Sequence, residues 1–166
     1  MTAAYAADHW TDFAVATVGA TATLVGLVFV AVSINLREIL RSPNLPGRAA
    51  LTLVMFVTPL LVGILVVVPG QPGTALAWEL LAAGILVGAF QLLINSRSGR
   101  SAEETPMSWT LARVLPIIVT YACLIVAGAT FLAHGGGGLY WLVPSVLVAI
   151  GSGLVNAWVL LVEILR

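Results

Sequence analysis

Lysine is absent from this 166-residue chain, and charge of either sign is scarce. Seven arginines stand against seven acids, so only 8% of the residues are charged and the formal net charge is +0. A soluble domain carries about 25% charged residues. No basic tract is dense enough to follow a phosphate backbone, which argues against nucleic acid as a partner. The single cysteine, Cys123, lies in an apolar run. One thiol makes no intrachain disulfide, and neither a CxxC pair nor a His/Cys cluster offers zinc a set of ligands. Few charges together with 60% apolar residues and a mean hydropathy of +1.08 exclude disorder, a DNA-binding domain and an ordinary cytosolic enzyme. The class that remains is an all-α integral membrane protein. Arginine without lysine, on a background of Ala, Val, Leu and Gly, points to a GC-rich bacterial genome.

What the chain has is long apolar runs. A transmembrane helix needs about 20 such residues, because it rises about 1.5 Å per residue through about 30 Å of hydrocarbon. Five runs qualify: about 13–36, 49–68 (with Pro59 near its middle), 75–95, 111–133 and 139–165. The links between them are short and rich in helix breakers. They include Ser42-Pro43-Asn44-Leu45-Pro46-Gly47, Pro69-Gly70-Gln71-Pro72-Gly73 and the four glycines Gly135 to Gly138. The longest, Ser96 to Thr110, is too short for a soluble domain, so residues 1–166 read as one compact bundle of five transmembrane helices. The first run is longer than a signal-peptide core, and Asp8 and Asp12 precede it where a signal peptide would carry positive charge.

The arginines give the orientation. Arg37, Arg41 and Arg48 flank the first link, Arg97, Arg100 and Arg113 the third, and Arg166 ends the chain. Five spans place all seven on one side. The positive-inside rule then predicts an outside N-terminus and a cytoplasmic C-terminus in a bacterial inner (plasma) membrane. Trp10, Trp78 and Trp141 fall at predicted outer ends and Trp109 at an inner one, as indoles at an interface should. Trp158 is deeper and is expected to pack within the bundle.

Small residues supply the contacts that hydrophobicity cannot supply inside lipid. Span one carries a stripe of Ala16, Gly19, Thr23, Gly26, Val30 and Ser33. Span five carries Ser145, Ala149, Ser152, Asn156, Val159 and Glu163. The spacing predicts that these two helices lie parallel and in contact, or that each packs on its copy in a neighbouring subunit. Gly84 and Gly88 form a GxxxG pair in span three, open to a partner in the same chain or another.

Polar groups within spans are costly and so are candidate functional groups. Glu79 follows Trp78 near the outer end of span three, where no arginine is available. It either lies among headgroups beside the helix N-terminus or pairs with His9, His134 or a bound cation. Glu163 has Arg97, Arg113 or Arg166 at its level. Asn35, Gln91, Asn95 and Asn156 are expected to converge in the inner half of the bundle, as interhelical links or as the lining of a hydrated path. Pro59 and Pro116 each free a backbone carbonyl. Enzyme chemistry finds no support. Gly151-Ser152-Gly153 lacks the flanks of a GxSxG elbow, HExxH is missing, and His9 and His134 lie too far out to hold a haem between helices. No cofactor is expected.

Gly26-Leu27-Val28-Phe29-Val30-Ala31-Val32-Ser33-Ile34-Asn35-Leu36 is one recognisable stretch. Another is Tyr140-Trp141-Leu142-Val143-Pro144 followed by Asn156-Ala157-Trp158-Val159-Leu160-Leu161-Val162-Glu163. These resemble a family of small, uncharacterised multi-pass bacterial inner-membrane proteins. The resemblance implies one membrane domain over most of the chain and assigns no catalytic residue.

Two functions follow as expectations. The first is a homo-oligomeric channel or transporter-like protein, its outer mouth made negative by Asp8, Asp12 and Glu79 and so favouring cations. The second is a non-catalytic accessory or scaffold subunit that packs on another membrane protein. In both, the bilayer is the first partner.

Overall fold

The computed structural model describes residues 3–42, 45–97, 107 and 110–164, with side chains as far as Val162. The described residues are helical, and five helices are long and apolar enough to cross a membrane. Short 3-10 turns at Ala3–Tyr5 and Ala7–Trp10 lead into α1, Thr11–Ile34. Then come α2, Leu36–Arg41, α3, Leu45–Val66, and α4, Gly73–Arg97. One π-helical turn, Thr110–Val114, precedes α5, Leu115–Ala133, and a 3-10 turn, Gly138–Trp141, precedes α6, Leu142–Ile164.

The helix ends follow from local chemistry. Thr11 Oγ1 donates to the Asp8 carbonyl at 3.1 Å where α1 begins, and Asp12 lies in the first turn, where negative charge is favoured. Asn35 interrupts the path from α1 to α2. Its backbone leaves helical geometry (φ −102, ψ 17), and its side-chain amide donates back to the Ala31 carbonyl at 2.9 Å. Pro72 starts α4 by offering one carbonyl to the N–H groups of both Ala75 and Leu76, at 2.9 and 3.2 Å. His134 ends α5 in the left-handed region (φ 51), and Gly136, Gly137 and Gly138 follow with φ of 93, 108 and 52. Only glycine adopts a run of positive φ without strain, which explains three of the four glycines in the link. Pro59 does not break α3.

The arrangement centres on α3, which packs against α1, α4 and α6, while α5 packs against α4 and α6. Thus α3, α4, α5 and α6 close a four-helix ring, and α1 lies against the outer side of α3. Of the most apolar stretch of each helix, 56% is buried in α3 and 17% in the segment containing α1.

Glycines set the closest approaches. A Cβ on Gly63 would lie 2.7 Å from Val18 Cγ2 and 3.0 Å from the Ala14 carbonyl, so α1 meets α3 backbone to backbone. Gly84 and Gly88 face Ile125 and Tyr121, and Gly128 faces Ala77 and Leu81, each with hypothetical Cβ contacts under 3.0 Å. The GxxxG pair of α4 therefore finds its partner in α5 of the same chain. In the pairs Gly84–Ile125, Gly88–Tyr121 and Leu81–Gly128 the two residue numbers sum to 209, which fixes the antiparallel register of α4 and α5.

Of the two arrangements expected for the first and fifth spans, contact within the chain is slight: α1 and α6 barely touch. Gly63 draws α1 onto α3, and Phe56 fills the gap toward α6. The α1 stripe of Ala16, Gly19, Thr23, Gly26, Val30 and Ser33 is exposed from end to end. Its hydroxyls are satisfied within the helix, Thr23 donating to Gly19 O at 2.9 Å and Ser33 to Phe29 O at 2.8 Å. Trp158, expected to pack, is 70% exposed. It projects from the outer face of α6.

The N-terminal residues cap the bundle at the end opposite most of the arginines. Trp10 Nε1 donates to the Ala3 carbonyl at 2.9 Å, and the Gly137 N–H donates to Tyr5 Oη at 3.2 Å. The Trp10 and Tyr140 rings meet edge to face, with centroids 5.0 Å apart.

Candidate functional site

Buried hydroxyls lie at several places, Thr21 on α1 and Thr120 with Ser145 where α5 meets α6, Ser145 donating to the Thr120 carbonyl at 2.9 Å. One set of buried polar side chains is gathered between α3, α4 and α5. Tyr121 points its hydroxyl into this space and donates to Gln91 Oε1. The same hydroxyl lies 3.0 Å from Thr58 Oγ1, and Thr58 also donates to the Val54 carbonyl at 2.8 Å. Gln91 Nε2 reaches the Leu51 carbonyl at 3.4 Å, a long contact. Two hydroxyl hydrogens therefore serve three contacts. With the Tyr121 hydrogen on Gln91, the Thr58 hydrogen is shared between Val54 O and Tyr121 Oη. All three side chains are enclosed, with Gln91 1% and both Thr58 and Tyr121 4% exposed.

The column continues toward the arginine-bearing end. One turn beyond Gln91, Asn95 is buried, and its Oδ1 has no hydrogen-bond partner among the described residues. The α4–α5 register puts Asn95 level with Val114, beside Arg113. Arg113 is buried in the turn that opens α5, and Arg48 is half-buried at the start of α3, one turn from buried Thr52, which donates to its carbonyl. In the other direction the column stops. Leu76, Leu80, Leu124, Ala127 and Phe131 fill the space between α4 and α5 with apolar groups. Between α4 and α5 the buried amides thus lie toward one end, while buried Thr17 and Ser145 lie nearer the other, outside this column. In so apolar a setting each satisfied contact fixes the helices firmly, and each unsatisfied atom, such as Asn95 Oδ1, is a place where water or a polar solute gains a partner.

The expected convergence of four amides is corrected to two. Gln91 and Asn95, both on α4, enter the column. Asn35 bonds within its own chain turn, and Asn156 is half-buried on α6 with no hydrogen bond to a described residue. Both were carried away from the column when α1 and α6 took separate positions. Ser152 donates to Val148 O at 2.7 Å in its own helix, and Thr23 faces outward. The Glu163 side chain lies outside the described residues. Glu79 is half-buried at the capped end, where Gln71 Nε2 donates to its Oε2 at 2.5 Å. The partner is thus an amide from the preceding link, rather than His9 or His134.

Tyr121 and Thr58 were missed by sequence reasoning. A signal was present: a tyrosine in the middle of an apolar run must find a partner for its hydroxyl. At the capped end, Tyr5 stacks on His134 with centroids 5.9 Å apart and lines a cavity of about 350 Å³ with Thr74 and Phe131. Comparison of the chain with protein-family models, curated proteins and solved structures gives no match.

Proposed function

We propose that the chain is a channel- or transporter-like protein of a bacterial inner membrane, working as a homo-oligomer with its arginine-bearing end in the cytoplasm. The observation that carries this reading is the Thr58–Tyr121–Gln91 column, buried between three membrane helices and continued by Asn95 toward the arginines. Polar side chains at that depth are costly and mark solute paths in membrane proteins. The column supplies the inner half of such a path. Asp8, Asp12 and Glu79 at the opposite end favour cations at the outer mouth. The test is ion flux in liposomes containing the pure protein, across several salts and voltages. Flux above empty vesicles that falls in Tyr121→Phe and Gln91→Leu supports the reading. Flux at the empty-vesicle level throughout overturns it.

A second reading, a non-catalytic subunit that packs on another membrane protein, draws on α1. Gly63, Gly84, Gly88, Gly128 and Gly153 all meet a neighbour closely, whereas Gly19 and Gly26 have nothing within 4 Å. Small residues in membrane helices mark close approaches. Crosslinking in the native membrane from cysteines placed at Gly19 and Gly26 separates self-assembly from capture of a different protein.

A further inference from the structure

The space that holds α1 and α6 apart is a shaped groove of about 170 Å³. Leu27 and Ala31 of α1 form one wall, and Leu154, Ala157 and Leu161 of α6 the other. Phe56 of α3 is the floor. Its ring lies on Gly153, where a Cβ would come within 2.6 Å of it, so the missing side chain lets the phenyl lie flat and deep. The lining is apolar along its whole length. Water would find no hydrogen-bond partners there, and leaving the groove empty would forfeit dispersion contacts on every wall.

One end of the groove is closed by Ile39, Leu45, Ala49 and Leu160. Ile39 belongs to α2, which crosses this end with Leu36, Arg37, Leu40 and Arg41 turned outward. Arg37 follows Ala31 by six residues, across the break at Asn35, and is exposed on α2. Along α2, Arg37 and Arg41 outnumber the one acid, Glu38, which is already bound to Arg41 at 2.6 Å. The body of the groove is therefore hydrocarbon-like, and α2 brings the exposed Arg37 to its closed end.

We propose that the α1–α6 groove binds one acyl chain of an anionic phospholipid, whose phosphate is met by Arg37. The apolar slot takes part of the tail, and Arg37 selects the headgroup charge. A second copy of the chain is a poorer occupant, because a helix is about 10 Å wide and the slot encloses only about 170 Å³.

The test begins with protein reconstituted in vesicles of equimolar phosphatidylglycerol and phosphatidylcholine, extracted in mild detergent and weighed by native mass spectrometry. One phospholipid per protomer is expected, with phosphatidylglycerol favoured about fivefold, the preference one arginine near the surface supplies. Ala31→Leu with Ala157→Leu fills the slot and should abolish the adduct. Arg37→Gln should keep the adduct and lose the fivefold preference. An independent arm covers the case in which the filled variant fails to fold. With the five native tryptophans replaced by phenylalanine, a tryptophan at Leu154, on the rim, should be quenched by dilute phosphatidylglycerol brominated on its acyl chain, and one at Ile85 on α4 should not. Absence of the adduct, its survival in the filled variant, equal quenching at both positions, or a protein dimer in place of the lipid adduct would each overturn the proposal.

Discussion

Tyr121 on α5 donates its hydroxyl hydrogen to Gln91 on α4, and from the same oxygen reaches Thr58 on α3. One phenol thereby ties three long apolar helices at a single level. Removing it leaves the Gln91 oxygen buried without that donor. Tyr121→Phe is expected to cost about 1 kcal/mol of stability, the scale of a hydrogen bond between membrane helices. Adding Gln91→Leu should cost less than the two changes taken separately, because the amide's partner is already gone. Unfolding of the single and double variants in mixed micelles measures both quantities.

The glycines divide into two groups that should respond oppositely to alanine. At Gly128 a Cβ would lie 2.7 Å from the Ala77 carbonyl, and a backbone atom cannot swing away. Gly128→Ala should destabilise the fold by about 1–3 kcal/mol. Gly26 meets nothing within 4 Å. Gly26→Ala should leave stability unchanged or raise it by up to about 1 kcal/mol, since alanine is the better helix former. The same unfolding assay checks the contrast.

Bulk at the exposed α1 stripe probes assembly apart from stability. Gly19→Leu with Gly26→Leu should leave the melting curve of the protomer in place and lower the oligomer fraction at least tenfold. Sedimentation in a density-matched detergent reads that fraction. An unchanged fraction would remove α1 as the contact between copies.

The N-terminal cap depends on Gly138, whose backbone passes against the Ala4 carbonyl and the Tyr5 ring. Gly138→Ala must push that segment off, and it also strains a residue held at φ 52. Hydrogen exchange of residues 3–10 should then accelerate at least tenfold, with α3 unaffected. Tyr5→Phe removes only the acceptor for the Gly137 N–H and should give a smaller acceleration.

Glu79 tests the negative outer mouth. Glu79→Gln removes the charge and keeps an acceptor for Gln71. Stability should change by less than about 1 kcal/mol, because the carboxylate is only partly enclosed. If the protein conducts, the ratio of cation to anion flux should fall.

Much of the molecule follows from the order of its residues. Runs of about 20 apolar residues must span hydrocarbon or be buried, so five helices could be read directly. The links were less legible, since Leu45, Pro46 and Gly47 form the first turn of α3, where proline is tolerated, and Gly73 opens α4. The GxxxG pair announced a close approach at Gly84 and Gly88. Which neighbour each face meets could not be read in the same way. A helix such as α1 is apolar all round, and lipid accepts any of its faces as readily as another helix does. Identical small-residue spacing therefore led to opposite fates: the stripe of α6 turned inward at Ser145 and Ala149, while that of α1 turned outward. Packing made that choice. Gly63 bound α1 to α3, Phe56 held it away from α6, and the register of α4 on α5 brought Gln91 beneath the hydroxyl of Tyr121.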